Sequence, residues 1–134
     1  MVIEFPSGEA TASPTRREAA ITLALLAIVG STPALAHAHL VSASPAVDST
    51  VRTAPREVSI SFTEKLEEKL SSITVKDAAG RRVDSAAARF ADTSGKKLLV
   101  ALSELAPGRY TVDWVAASVD THRTNGSFAF TVRP

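Results

Sequence analysis

The chain has 134 residues, 45% of them apolar, with 15 Lys+Arg against 14 Asp+Glu and a formal net charge of +1. That balance leaves no basic excess to displace counterions from phosphates, so charge gives no case for a nucleic-acid partner. There is no cysteine, which removes disulfides, zinc fingers, iron–sulfur clusters and thiol nucleophiles together.

Residues 1–15 are polar and aperiodic. Arg16 and Arg17 then precede an apolar run from Ala19 to Val29, which Gly30, Ser31, Thr32 and Pro33 break before Ala34-Leu35-Ala36. A basic segment, a short apolar run and a small-x-small end form a secretory signal. The run is too short for the roughly 20 residues that a spanning helix needs. Cleavage after Ala36 makes His37 the first residue of a domain running from 37 to 134. Ala36-His37-Ala38 offers a second cleavage point, which would start the chain at His39. Either way the domain is expected outside the cytoplasm, in the periplasm or an equivalent compartment.

After residue 37 alternation replaces helical periodicity. Leu40 opens a short strand ending at Ser44-Pro45, and Pro45 to Pro55 is a turn-rich link. Val58, Ile60 and Phe62 share one face of the next strand. Thr63 to Leu70 is charged and reads as a loop or one helical turn. Ile73-Thr74-Val75 is a strand, Ala79-Gly80-Arg81 a turn, and Val83 the start of a short or irregular strand. Asp92 to Gly95 turns the chain into the apolar strand Leu98–Leu102. Tyr110, Val112 and Trp114 alternate after Pro107-Gly108. Asn125-Gly126 predicts a turn, and Phe128, Phe130 and Val132 mark the last strand. About seven short strands of this kind predict an all-β, Ig-like Greek-key β-sandwich or barrel. Phe62, Tyr110, Trp114, Phe128 and Phe130 are its expected core aromatics. The run from Leu105 to Tyr110 predicts a tyrosine corner, a structural role.

Chemistry is concentrated in three histidines, His37, His39 and His122. Asp120 and His122 are two apart. On an extended stretch they face one side, and over a short loop they can still pair. Imidazole suits copper, zinc and nickel, and a neighbouring carboxylate offsets the ion's charge. An N-terminal His37 would add its α-amine, whose ordinary pKa of about 8 leaves it available to a metal. Amine and ring of His37 with the ring of His122 would form a three-nitrogen T, a histidine brace. Tetragonal nitrogen and oxygen donors favour Cu(II), with Asp120 and Glu64 as oxygen donors or as groups that orient the rings. A competing site uses the same amine. There, two backbone amide nitrogens and the ring of His39 wrap the ion in a plane, with no fold required. The simplest alternative for Asp120-Thr121-His122 is a capped turn with no metal. A nucleophile elbow and a phosphate-cradling loop are both missing from the sequence.

These residues also carry a resemblance. His37-Ala-His-Leu-Val-Ser-Ala-Ser-Pro45, Ser61-Phe62-Thr63-Glu64, and Leu105-Ala-Pro-Gly-Arg-Tyr110-Thr-Val-Asp-Trp114 with Ser118-Val-Asp120-Thr-His122 and Asn125-Gly126-Ser-Phe128 resemble the CopC/PcoC copper-resistance proteins of the bacterial periplasm. The resemblance spans nearly all of residues 37–134. It implies a Greek-key sandwich that binds copper without catalysis. Its Cu(II) ligands would be His37, Asp120 and His122, with Glu64 in some members, while His39 falls at a variable position. The thioether-rich Cu(I) site of some members is not expected here, because the one methionine is Met1. The resemblance thus implies a monomer with a single Cu(II) site, serving resistance, buffering or delivery to a separate inner-membrane transporter. Two other readings are an oxidative brace-copper enzyme like the polysaccharide monooxygenases and a metal-free Ig-like interaction module.

Overall fold

The computed structural model describes residues 37–134. The secretory signal, its cleavage point and the domain boundary at 36 lie outside the described residues. Eight strands form: β1 (Leu40–Ser44), β2 (Thr50–Val51), β3 (Glu57–Phe62), β4 (Ser72–Lys76), β5 (Arg89–Phe90), β6 (Lys97–Ala101), β7 (Gly108–Ala117) and β8 (Arg123–Val132). They make two four-stranded sheets, ordered β1-β3-β6-β5 and β2-β8-β7-β4. The all-β sandwich expected from the alternation is the fold found. The two strands not anticipated, β2 and β5, have two residues each, too few to show any period. β2 lies within the 45–55 link and runs parallel to the end of β8, pairing Thr50 with Thr131 and Val51 with Val132. The charged stretch after β3 becomes one 3-10 turn, Glu68–Leu70. Val83 joins no strand and sits between the isolated bridges Lys76↔Arg82 and Asp84↔Leu102.

Alternation in β7 does what the sequence implies. Tyr110, Val112, Trp114 and Ala116 are buried, and the residues between them reach toward solvent. They meet Val58, Ile60 and Phe62 of β3, Leu98 and Val100 of β6, and Phe128, Phe130 and Val132 of β8 in one core. Phe62 meets Trp114 edge-on with centroids 5.2 Å apart, and Tyr110 stacks on Phe130 at 5.4 Å. Both spacings lie in the range where aromatic pairs attract beyond simple area burial. The Tyr110 hydroxyl donates to the carbonyl of Ala106, so the tyrosine corner is present.

A second expectation, after the strand at Val83, is overturned. Asn125-Gly126 is no turn. It lies inside β8, with Asn125 opposite Val115 and Gly126 opposite Trp114. The β7–β8 hairpin reverses earlier, through Ser118 to His122, with Thr121 in the left-handed region at φ 76°. Glycine is needed at 126 for space. A Cβ there would lie 2.5 Å from Cζ2 and 2.7 Å from Cε2 of Trp114. A strand glycine often marks such a close approach.

Two irregular segments stitch the sheets together along their edges. Val83 donates its N–H to Val75 of β4 and accepts from Ser103, while Ser85 donates to Ala101 of β6. At the other edge Phe62 and Leu66 donate to Lys96 and Gly95, Glu67 donates to Ala117, and Lys65 accepts from Val119. Asp84 anchors the first seam. Its carboxylate accepts the Val75 N–H at 2.9 Å and an Arg82 guanidinium N–H. Burial alone would raise the Asp84 pKa. The Arg82 and Val75 hydrogen bonds and the Arg82 charge outweigh it, and the carboxyl sits below its ordinary 3.8.

Two outcomes are expected. Gly126→Ala forces the Trp114 ring from its seat and costs about 1–3 kcal/mol, the usual penalty of overpacking. Thermal unfolding together with Trp114 fluorescence reads it. Asp84 has a depressed folded pKa, so its contribution is complete above the unfolded value and fades as pH falls through the folded one. The stability gap between the parent and Asp84→Asn should therefore be widest near neutrality and close below about pH 4. Urea unfolding across that range checks it, and a gap independent of pH would contradict it.

Candidate metal centre

The three histidines meet at one end of the sandwich, where three segments converge. Residues 37–39 lead into β1, Thr63 and Glu64 leave β3, and Ser118 to His122 form the β7–β8 turn. His37 is half-buried, Ala38 fully buried and His39 exposed, the alternation of an extended chain. This short run lies between the two sheets. Thr63 Oγ1 accepts the His39 N–H at 3.0 Å and donates to the His37 carbonyl at 3.4 Å, and the Thr63 N–H donates to the His39 carbonyl at 2.9 Å. From the other sheet Thr124 donates its hydroxyl to the Ala38 carbonyl at 2.6 Å. The Ala38 methyl joins the hydrophobic core.

The turn is built by Ser118, which is 2% exposed. Its N–H and hydroxyl both donate to the His122 carbonyl, and the hydroxyl also bonds Asp120 Oδ1. The His122 N–H donates to the same oxygen at 3.3 Å. The capped turn that spacing allowed is therefore present. The Ser118 hydroxyl first, then the His122 N–H, hold the Asp120 carboxyl below its ordinary value. Among the described residues no hydrogen bond engages Asp120 Oδ2.

The cap leaves one group unsatisfied. His122 Nδ1 is buried and has no hydrogen-bond partner. Asp120 Oδ1 is 3.2 Å away, but outside hydrogen-bond geometry. Buried imidazole nitrogens without partners are uncommon, and a missing ion is one recognised cause. The ring of His37 stands 5.0 Å from that of His122, at 77° between planes. His39 lies 6.5 Å from His37, centroid to centroid.

The structure thus brings His37 and His122 together, with Asp120 beside His122. Among the described residues no three His, Asp or Glu side chains form a group able to hold a metal ion. His39 extends the cluster on the far side of His37, and no hydrogen bond or ion pair of the Glu64 carboxylate occurs among the described residues. Two imidazoles, an orphaned buried ring nitrogen and an adjacent carboxylate fit a borderline transition-metal ion in donor type. The third donor of a brace would be a backbone group, the amine of a cleaved chain. Sequence reasoning missed Ser118, Thr63 and Thr124. Their hydroxyls act on backbone atoms distant in sequence, which no local motif reveals. A cleft of 680 Å³ lies elsewhere, lined by Ile73, Arg82, Asp84 and neighbours.

The fold and the paired histidines define a two-sheet sandwich with a histidine cluster at one end, and comparison with known proteins places it. The CopC domain matches residues 40–133, and the chain belongs to the CopC family. Protein YobA of Escherichia coli K12 is 35% identical over 121 residues, covering 89% of this chain and 98% of that one. Copper resistance protein C of Xanthomonas campestris pv. juglandis is 37% identical over 126 residues, with 87% and 97% covered. Copper transport protein CutJ of Bacillus subtilis is 31% identical over 84% of this chain, which spans 21% of that larger protein. The crystal structure of CopC from Methylosinus trichosporium OB3b superposes with a TM-score of 0.68 at 34% identity, covering 73% of this chain and 95% of that one.

Ser118→Ala removes the main hydrogen bond lowering the Asp120 pKa. The Asp120 carboxyl should then titrate nearer its ordinary 3.8, as carboxyl-carbon NMR of the metal-free protein would show. An unmoved titration would mean that the turn backbone alone holds it.

Proposed function

We propose that the protein is an exported, non-catalytic carrier of one Cu(II) ion, bound in a histidine-brace site that is completed when the chain is cleaved to begin at His37. The ion is cargo. The observation that carries this reading is the His37–His122 pair, 5.0 Å between rings, with a buried and unpartnered Nδ1 on His122. His37 would supply its new amine and ring, and His122 the opposing ring. Asp120 would compensate charge from a carboxylate already ionised at neutral pH. Glu64 has a lesser claim, and His39 lies outside the set.

The fold's part is to hold the two histidines at one place. His122 sits on a capped turn ending a ten-residue strand, and His37 is fixed through Ala38. Little must be ordered when the ion arrives, which favours affinity. A cargo of this kind suits resistance, buffering or hand-over to a membrane transporter outside the cytoplasm. The names of the copper resistance and copper transport relatives support that role.

His122→Ala is expected to weaken Cu(II) by more than about a hundredfold, beyond the 10–100-fold that outer-sphere partners carry. One added residue before His37 should do the same, because it replaces the amine by an amide. Both are read by competition titration against a chelator. The parent should gain about 2.7 kcal/mol of stability with free copper at a hundred times Kd. Undiminished affinity in either variant would remove the brace.

A further inference from the structure

The amine that serves a brace can equally start a planar site. In that second mode the ion takes the amine of His37, the amide nitrogens of Ala38 and His39 with their protons lost to solvent, and the ring of His39. His122 is left out, and the metal no longer depends on the fold. Any chain that begins His-Ala-His offers this mode in its unfolded state. Something in the folded domain must decide between the two, and this question rests on the brace reading above.

We infer that Thr63 and Thr124 are positioning residues that select the two-histidine mode by withholding the backbone of residues 37–39 from planar binding. The argument is geometric. Planar binding needs the nitrogens of Ala38 and His39 turned toward one ion. The His39 nitrogen is instead committed to Thr63 Oγ1 at 3.0 Å, and the His39 carbonyl to the Thr63 N–H at 2.9 Å. The carbonyl of that same Ala38–His39 peptide accepts from Thr124 of the opposite sheet at 2.6 Å, and the His37–Ala38 peptide, which carries the Ala38 nitrogen, is held through its carbonyl by the Thr63 hydroxyl at 3.4 Å. Ala38 is 0% exposed within the core. Rotating these two peptide planes would break the bonds and lift the methyl from the core. The extended run puts the rings of His37 and His39 on the same side, 6.5 Å apart, so the committed peptide groups, and not the direction of the His39 ring, are what oppose planar binding. The same hydroxyls leave the two rings of His37 and His122 undisturbed, 5.0 Å apart.

Each threonine hydroxyl acts on the backbone, so its effect should appear in which nitrogens bind copper rather than in whether copper binds. The test uses the chain beginning at His37 with one equivalent of Cu(II), read by electron paramagnetic resonance, whose nitrogen hyperfine pattern separates three from four nitrogen donors. The parent is expected to show a three-nitrogen set that His122→Ala abolishes. Thr63→Ala should raise the four-nitrogen population roughly three- to tenfold, the worth of one net hydrogen bond. Thr63→Ser should restore the parent spectrum, and adding His39→Ala to Thr63→Ala should erase the four-nitrogen signal. Thermal unfolding verifies that each variant is folded. Should Thr63→Ala fail to fold, Thr124→Val, which keeps shape and removes one hydroxyl, is expected to shift the spectrum the same way. A folded Thr63→Ala or Thr124→Val with the parent spectrum overturns the selection, while His122 dependence in the parent leaves the brace standing. A parent spectrum indifferent to His122→Ala overturns the brace and the selection with it.

Discussion

Everything at the histidine end depends on how Ala38 is held. Its methyl is in the core, its carbonyl is bonded to Thr124 of one sheet, and its neighbour His39 is bonded through the backbone to Thr63 of the other. A residue with one methyl contributes little by area alone. Its value here is orientation, because in an extended chain fixing one residue fixes the faces of both neighbours. With Ala38 turned inward, His37 and His39 both turn outward on one side, and the ring of His37 is the one that stands 5.0 Å from His122. The same residue therefore links packing to chemistry: the hydrophobic effect seats it, two hydroxyls lock it, and the pairing of the rings follows.

The turn between β7 and β8 uses one carboxylate for two purposes. Asp120 closes the turn through Oδ1, accepting from Ser118 and from the His122 N–H. Those donors favour its charged form, so a full negative charge stands beside His122 before any ion is present. The left-handed Thr121 lets the chain reverse so tightly that Asp120 and His122 stay adjacent. A structural cap and a charged neighbour for a cation are thus the same group, and the capped-turn and metal-site readings of Asp120-Thr121-His122 do not exclude one another.

Much of the fold was legible in the sequence because the signal is of period two. Val58, Ile60 and Phe62, or Tyr110, Val112 and Trp114, announce a buried strand face without help. The strands β2 and β5 were not legible, since two residues have no period and their pairing is decided by partners far along the chain. Asn125-Gly126 misled for a physical reason. Its composition satisfies a tight turn, but the glycine answers to the Trp114 ring across the ladder, a contact that local sequence does not contain. At the site, His37, Asp120 and His122 could be named from spacing and from the signal-like leader. The hydroxyls of Thr63, Thr124 and Ser118 could not, because each bonds backbone atoms that only the folded sheets bring near. Glu64 was named as an oxygen donor beside Asp120 and again from the family resemblance, and its carboxylate makes no hydrogen bond or ion pair among the described residues.

The seam from Phe62 to Glu67 is bonded on both sides, to Lys96 and Gly95 on one and to Ala117 and Val119 on the other. This end of the sandwich is therefore closed independently of residues 37–39, which lie over the seam and are held chiefly by two threonines. Such a run can peel from its end while the seam and the hairpin beneath it stay paired. Half of the histidine pair rides on a strip tied by a few hydrogen bonds and one buried methyl, and the other half on a long hairpin paired along its length. Release of that strip would withdraw the Ala38 methyl from the core while leaving the β7–β8 hairpin paired.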